Sequence, residues 1–123
     1  MPARTARGQA TVEVALVLPL LALLTLLVVQ VGVLARDRVA VTHAARAGAR
    51  AAAVDPSPRE VRAAVVRATH LDADRIEVTV SGAAGPGSLV TVHVAYRDPT
   101  DVALVGPLVP DVSLEETLVA RLE

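Results

Sequence analysis

Hydrophobic and polar positions divide this chain into stretches of different period. From Val14 to Ala35, 22 consecutive positions carry no charge, and only Thr25 and Gln30 bring polarity. At 1.5 Å per residue such a helix rises about 33 Å, against a hydrocarbon core of about 30 Å, so the run predicts a membrane-spanning helix. A helix apolar on every side needs apolar surroundings on every side, and the remaining chain is too short to wrap it as a core helix. The pattern then continues into RDRVAVTHAARAGARAAA without a turn signal. There Ala44 and Gly48, Ala45 and Ala49, and Gly48 and Ala52 stand four apart and share faces. Small residues at that spacing permit close backbone approach, which makes Ala44, Ala45, Gly48, Ala49 and Ala52 expected helix-packing positions; the rival source of the alanines is their helix propensity alone.

DPSPRE is a break and a restart. Asp55 and Pro56 end the first helix, Ser57 is placed to cap a second, Pro58 suits its first position, and Glu60 completes a capping box with Ser57. This second helix is expected to run to about Thr69, with Val61, Ala64, Val65 and Ala68 on one apolar face. Period-two alternation follows: Ile76, Val78 and Val80 in RIEVTV, then Val90, Val92, Val94 and Tyr96 in LVTVHVAY, joined by the turn material SGAAGPGS. Residues 113–123, SLEETLVARLE, fit either a helix or a strand, and the alternation of Leu118, Ala120 and Leu122 favours a strand. Between them RDPTDVALVGPLVPDV is a Pro-containing connection whose Val102, Leu104, Val105, Leu108 and Val109 offer an apolar contact surface. The predicted class is α+β: a long amino-terminal transmembrane helix, then a short helix packed on a small antiparallel sheet.

Composition sharpens this picture in two respects. Hydrophobic residues make up 53% of the chain, yet Tyr96 is its one aromatic, so the excess resides in the span and not in a large core. There is no cysteine, hence no disulfide framework and no thiolate metal site. All 12 basic residues are arginine and are spread along the chain, with no polybasic block for nucleic acid.

Candidate chemistry is sparse. His70, His93, Asp72, Asp74 and Asp98 form the one plausible set, and they include no nucleophile and base pairing, no zinc spacing and no glycine-rich loop opening a helix. HLDAD lacks the glycine and the terminal glutamate of a calcium loop. His43 has no ligand partner at helical spacing and reads as a surface or packing residue, and His93 as solvent-facing. No catalytic, cofactor or metal site, and no small-molecule substrate, is expected.

The feature that asks for a purpose is Glu13, one carboxylate at the threshold of the apolar run. At full depth it would cost up to about 3 kcal/mol, less near the interface. The helix macrodipole returns about 0.3 to 1 kcal/mol for an acid in the first turns, so helix physics alone is one reading. Upstream, MPARTARG carries Arg4 and Arg7 and no acid, as a short cytoplasmic leader would. A secretory signal normally has a core of about 7 to 15 residues and then a small-residue cleavage site; this run is longer and continues as helix, which favours a retained anchor. Arg36, Arg38, Arg46 and Arg50 follow the span while Arg4 and Arg7 precede it, a count that by itself places the carboxyl side inside.

Gly8, Gln9 and Glu13, set between a basic leader and a long apolar helix, look like a prepilin processing site. RGQATVEVALVLPLLALL, followed by a segment ending HAARAGARAAAV, resembles the TadE-like minor pilins, or pseudopilins, of the Flp/Tad pilus and secretion machinery. The resemblance covers the amino-terminal half in sequence and the rest in layout. It implies a leader of residues 1–8, a long helix over 9–54 with its span at about 14–35, and a small pilin-like α+β domain over 55–123. It implies a cut between Gly8 and Gln9 by a membrane prepilin peptidase, which leaves a new positive amine on Gln9. Glu13 of one subunit would pair with that amine on a neighbour and so relieve a buried charge. It further implies a single-pass protein of the bacterial cytoplasmic membrane, its amino terminus cytoplasmic, its domain outside or carried into a surface pilus. The partners would be other pilin or pseudopilin subunits, Tad assembly proteins and membrane lipid. Gln30 departs from the acid that many members carry late in the span, which weakens a second intersubunit contact.

Pro19 removes one backbone hydrogen bond inside the run and is an expected kink, either an ordinary membrane proline or a point of bending during extraction into a filament. Two other functional classes stay open on the residues alone: an uncleaved single-span protein whose outer domain binds a partner in a transport complex, and a secreted binding domain freed by a signal peptidase.

Overall fold

A computed structural model describes residues 3–82, 85–99, 107 and 110–123, with side chains from Gly8 onward. The expected apolar contact residues Val102, Leu104, Val105, Leu108 and Val109 lie outside the described residues. The chain forms α1 (Ala3–Val54), α2 (Pro58–Arg67), a short 3-10 turn (Ala73–Arg75), β1 (Ile76–Ser81), β2 (Leu89–Asp98) and β3 (Val112–Arg121). The last stretch is therefore a strand. The three strands form an antiparallel sheet in the order β1-β2-β3, and the α+β architecture read from the sequence is the one present.

α1 is one helix of 52 residues that runs on through Pro19. It ends at Val54 because Pro56 cannot continue it and disfavours a helical Asp55. The start of α2 differs from expectation. Ser57 is the N-cap residue with Pro58 just after it, but its side chain makes no capping hydrogen bond. The Ser57 amide donates instead to Asp55 Oδ1 at 2.9 Å. A reciprocal box needs that same amide for the Glu60 carboxylate, so Asp55 has displaced it. α2 also stops two residues short of Thr69: the Ala68 amide closes onto Ala64 and Val65 carbonyls as a C-cap, and Ala68 is exposed, leaving Val61 and Val65 as the fully buried part of the face.

The sheet turns its alternating apolar residues toward the helices. Cross-strand partners Val80↔Val92, Val78↔Val94 and Ile76↔Tyr96, then Val92↔Leu118 and Tyr96↔Leu114, put those side chains on one face. On the other face Thr79, His93 and Thr117 form one row, and His93 Nδ1 stands 2.8 Å from Thr117 Oγ1. Gly82 follows β1 at φ +89°, where an added Cβ would meet the Leu89 carbonyl oxygen at 2.7 Å.

The core joins the carboxyl-terminal part of α1 to the rest. Val41, Ala44, Ala45 and Ala52 of α1 cluster with Val61 and Val65 of α2 and Val90, Val92, Val94, Tyr96 and Leu114 of the sheet. Size complementarity explains the composition. α1 supplies mostly small residues, the facing elements supply valines, and the backbones approach closely. Each fully buried valine contributes about 1.5 to 3 kcal/mol relative to exposure. Arg62 fastens the outer side of α2 by donating from Nη1 to the Ile76 carbonyl at 2.8 Å and from Nη2 to the Ala73 carbonyl at 3.0 Å.

Candidate functional site

The domain leaves the first half of α1 largely uncovered. Val12, Val14, Leu16, Leu18, Leu20, Leu24 and Val28 all stand exposed, Leu16 at 73%. α1 holds the one stretch among the described residues long and apolar enough to cross a membrane, and none of its best span window is buried in the chain. A soluble protein could not hold this much apolar helix in water, so α1 is a single-pass membrane anchor.

Gly8 and Gln9 lie within the first turns of α1, both exposed, and a Cβ on Gly8 would meet nothing within 4 Å. The peptide between them is helical, and glycine lowers the cost of unwinding this end by about 1 kcal/mol relative to alanine. Glu13 is exposed one turn on, with no ion pair among the described residues. Thr25 needs no outside partner, since its hydroxyl donates to the Leu21 carbonyl at 2.8 Å.

The two sides of α1 diverge beyond the middle of the span. Gln30 is only 9% exposed, and it belongs to the side that continues through the partly buried Leu34 to Asp37 and Val41. A side chain covered by its own chain is not offered to a neighbour, so an intersubunit role for position 30 does not fit this fold. Ala44, Ala45, Gly48 and Ala52 are likewise buried against α2 and the sheet of the same chain, and Ala49 is half-buried. A Cβ on Gly48 would meet Val65 Cγ2 at 2.7 Å and Val92 Cγ1 at 3.3 Å. The helix these small residues let approach is α2.

Where α1 enters the domain, Asp37, 9% exposed, holds a polar junction. Its Oδ1 is 3.6 Å from Nε2 of the half-exposed His70. Nearby, burial pushes the Tyr96 phenol above its ordinary range, Asp37 and Asp98 carboxylates add to the shift, and Arg75 opposes it. The candidate chemistry set is thus split: His70, Asp72 and Asp98 lie around this junction, while His93 sits on the opposite sheet face with Thr117. No group of three metal-ligating side chains gathers among the described residues. The junction joins α1 to the segment between α2 and β1; sequence reasoning missed it because Asp37 and His70 carry no motif and meet only in the folded chain.

Comparison with known families locates the resemblance on the helix. Residues 8–50 match the family described as TadE-like protein. No curated protein and no solved structure matches the chain. The matched segment opens at Gly8 and covers the exposed apolar helix and most of the part packed on the domain.

Proposed function

We propose that this chain, similar over residues 8–50 to the TadE-like family and anchored by one apolar helix, is a minor pilin or pseudopilin subunit of a Flp/Tad-type pilus or secretion apparatus. It is inserted with its amino terminus cytoplasmic and its domain outside. A prepilin peptidase cuts between Gly8 and Gln9, and the subunit then assembles with other pilins through α1. Glu13 pairs with the new amine of a neighbouring subunit, and Pro19 supplies a bend. The protein works by helix packing and not by catalysis.

The observation that carries this reading is a helix apolar on all sides for most of its first half, left bare by its own domain, with a lone carboxylate at Glu13. In lipid that surface is satisfied; in a filament, neighbouring helices replace the lipid, and the amine of Gln9 replaces water at Glu13. The agreement between the start of the family match and the expected cut at Gly8 supports the same reading.

The test is the intact mass of membrane-extracted protein from cells with and without their prepilin peptidase, beside a Gly8→Ala variant. The expected result is loss of residues 1–8 only when both peptidase and Gly8 are present. A full-length mass in a host with active peptidase would instead identify an uncleaved single-span binding protein.

A further inference from the structure

Above the membrane, α1 has one face closed by its own domain and one face left open. The open face repeats with alternating spacings of four and three: Gly32, Arg36, Val39, His43, Arg46 and Arg50, all exposed. At 100° per residue these positions lie opposite the buried Asp37, Val41, Ala44, Ala45 and Gly48. A four-three repeat is the seam spacing of helix pairs. Gly32 begins it inside the lipid-facing span, where a Cβ would meet nothing within 4 Å, so a second helix can approach the backbone there.

The charge of this seam is one-sided. Between Glu13 and Asp55 the one acid on α1 is Asp37, which is buried toward the domain beside His70. Arg36, Arg46 and Arg50 enter no ion pair among the described residues. Lipid headgroups do not account for all of them. Arg46 and Arg50 lie 11 and 15 residues past Ala35, hence about 16 and 22 Å along the helix, whereas the headgroup layer is about 5 to 8 Å deep on each side.

We infer that the open face of α1 is a docking seam for a helix of a different subunit, one that presents carboxylates opposite Arg36, Arg46 and Arg50. The partner is a helix because the seam is continuous from hydrocarbon into water, and lipid admits no other single-segment backbone. It is not a second copy seam to seam, because like charges would then face each other and the copy has no open carboxylate along the seam from Gly32 to Arg50 to offer. This deepens the reading of α1 as an assembly helix and rests on it for the common membrane orientation of the two helices, but not on cleavage. It also gives the arginines after the span a use other than setting topology.

The chain has no cysteine, and Val39 is 57% exposed at the centre of the seam, so a single Val39→Cys reports contact without background. The experiment uses the full chain in native membranes, carrying Val39→Cys and Gly8→Ala so that processing does not enter. It is co-expressed with a differently tagged copy that adds Arg36→Glu, Arg46→Glu and Arg50→Glu as the acidic probe helix. The expected result after mild oxidation is that mixed disulfides exceed either like-with-like species by about tenfold at low salt, the excess shrinking as salt rises. Random-pairing proportions, dominance of the unaltered pair, or no crosslink in any combination would each overturn the inference. So would efficient crosslinking of Val39→Cys to a Thr79→Cys copy, which would put a second copy's sheet on the seam. Thermal melts of both extracted forms check that the reversed charges, all on exposed positions, leave the domain folded. Loss of membrane insertion would point to failure of the anchor reading itself, and a full-length mass in chains that retain Gly8, in a host with active peptidase, to failure of the processing reading.

Discussion

Gly48 and Val65 touch as closely as two helices allow: the Cβ that Gly48 lacks would stand 2.7 Å from Val65 Cγ2 and 3.3 Å from Val92 Cγ1. Val65 is β-branched, held to one rotamer in a helix, and fully buried, so it cannot swing aside. Gly48→Ala gains about 1 kcal/mol of helix propensity and loses about 1 to 3 kcal/mol to overpacking, a net destabilisation. Gly48→Leu is expected to lose more, and Ala47→Leu on the neighbouring half-buried position less. Urea unfolding of the detergent-extracted chain, followed by circular dichroism of the sheet, checks the order.

Arg62 tests whether α2 is held by packing alone. Its guanidinium donates to two main-chain carbonyls, of Ile76 and Ala73, a fork that a lysine cannot reproduce. Arg62→Ala is expected to cost about 1 to 2 kcal/mol, at the lower end because part of the contact is exposed, and Arg62→Lys to recover less than half. The same unfolding series measures both. Equal stability of the lysine and arginine forms would show that the fork geometry is unimportant.

The pH dependence follows from Tyr96. Its phenol is pushed up first by burial, then by Asp37 and Asp98. The folded state therefore holds this proton to higher pH than the unfolded chain, which releases it near about pH 10. Stability contributed by the neutral phenol is complete below that value and is lost as pH rises through the folded value. The unfolding midpoint of the native chain should fall above about pH 10, and Tyr96→Phe, which keeps the ring in the core, should flatten that fall. An unchanged slope in the phenylalanine variant would remove Tyr96 as its source.

Glu13 carries the assembly prediction. Glu13→Gln keeps shape and helix but removes the charge that would answer the Gln9 amine. The expected outcome is normal membrane insertion and normal loss of residues 1–8, with assembled material in the sheared surface fraction reduced at least severalfold. Quantitative immunoblotting of membrane and sheared fractions reads both. Normal assembly of the glutamine form would leave Glu13 to the helix dipole alone.

Much of this arrangement was legible along the chain because it depends on local period. The uncharged run from Val14, the Pro-led restart at Pro58 and the alternation in β1 and β2 each state their own element. β3 was harder, since Glu116 falls on the inner sheet face opposite Val94 and interrupts the apolar alternation between Leu114 and Leu118. The cap at Ser57 differs from the sequence reading because two nearby carboxylates, Asp55 and Glu60, compete for one amide, and the winner, Asp55, is set by backbone geometry.

What the sequence by itself determined is the anchor, its length, the acid at its start, and the types of the elements beyond it, since all of these are written in spacing along one segment. What only the tertiary structure decided is which side of α1 meets which partner. Gln30, Asp37 and the alanines turn toward the chain's own domain, while Arg36, Arg46 and Arg50 are left facing outward. The physical reason is that helical periodicity fixes which residues share a face, but the occupant of that face is chosen by how α2 and the sheet fold back upon it.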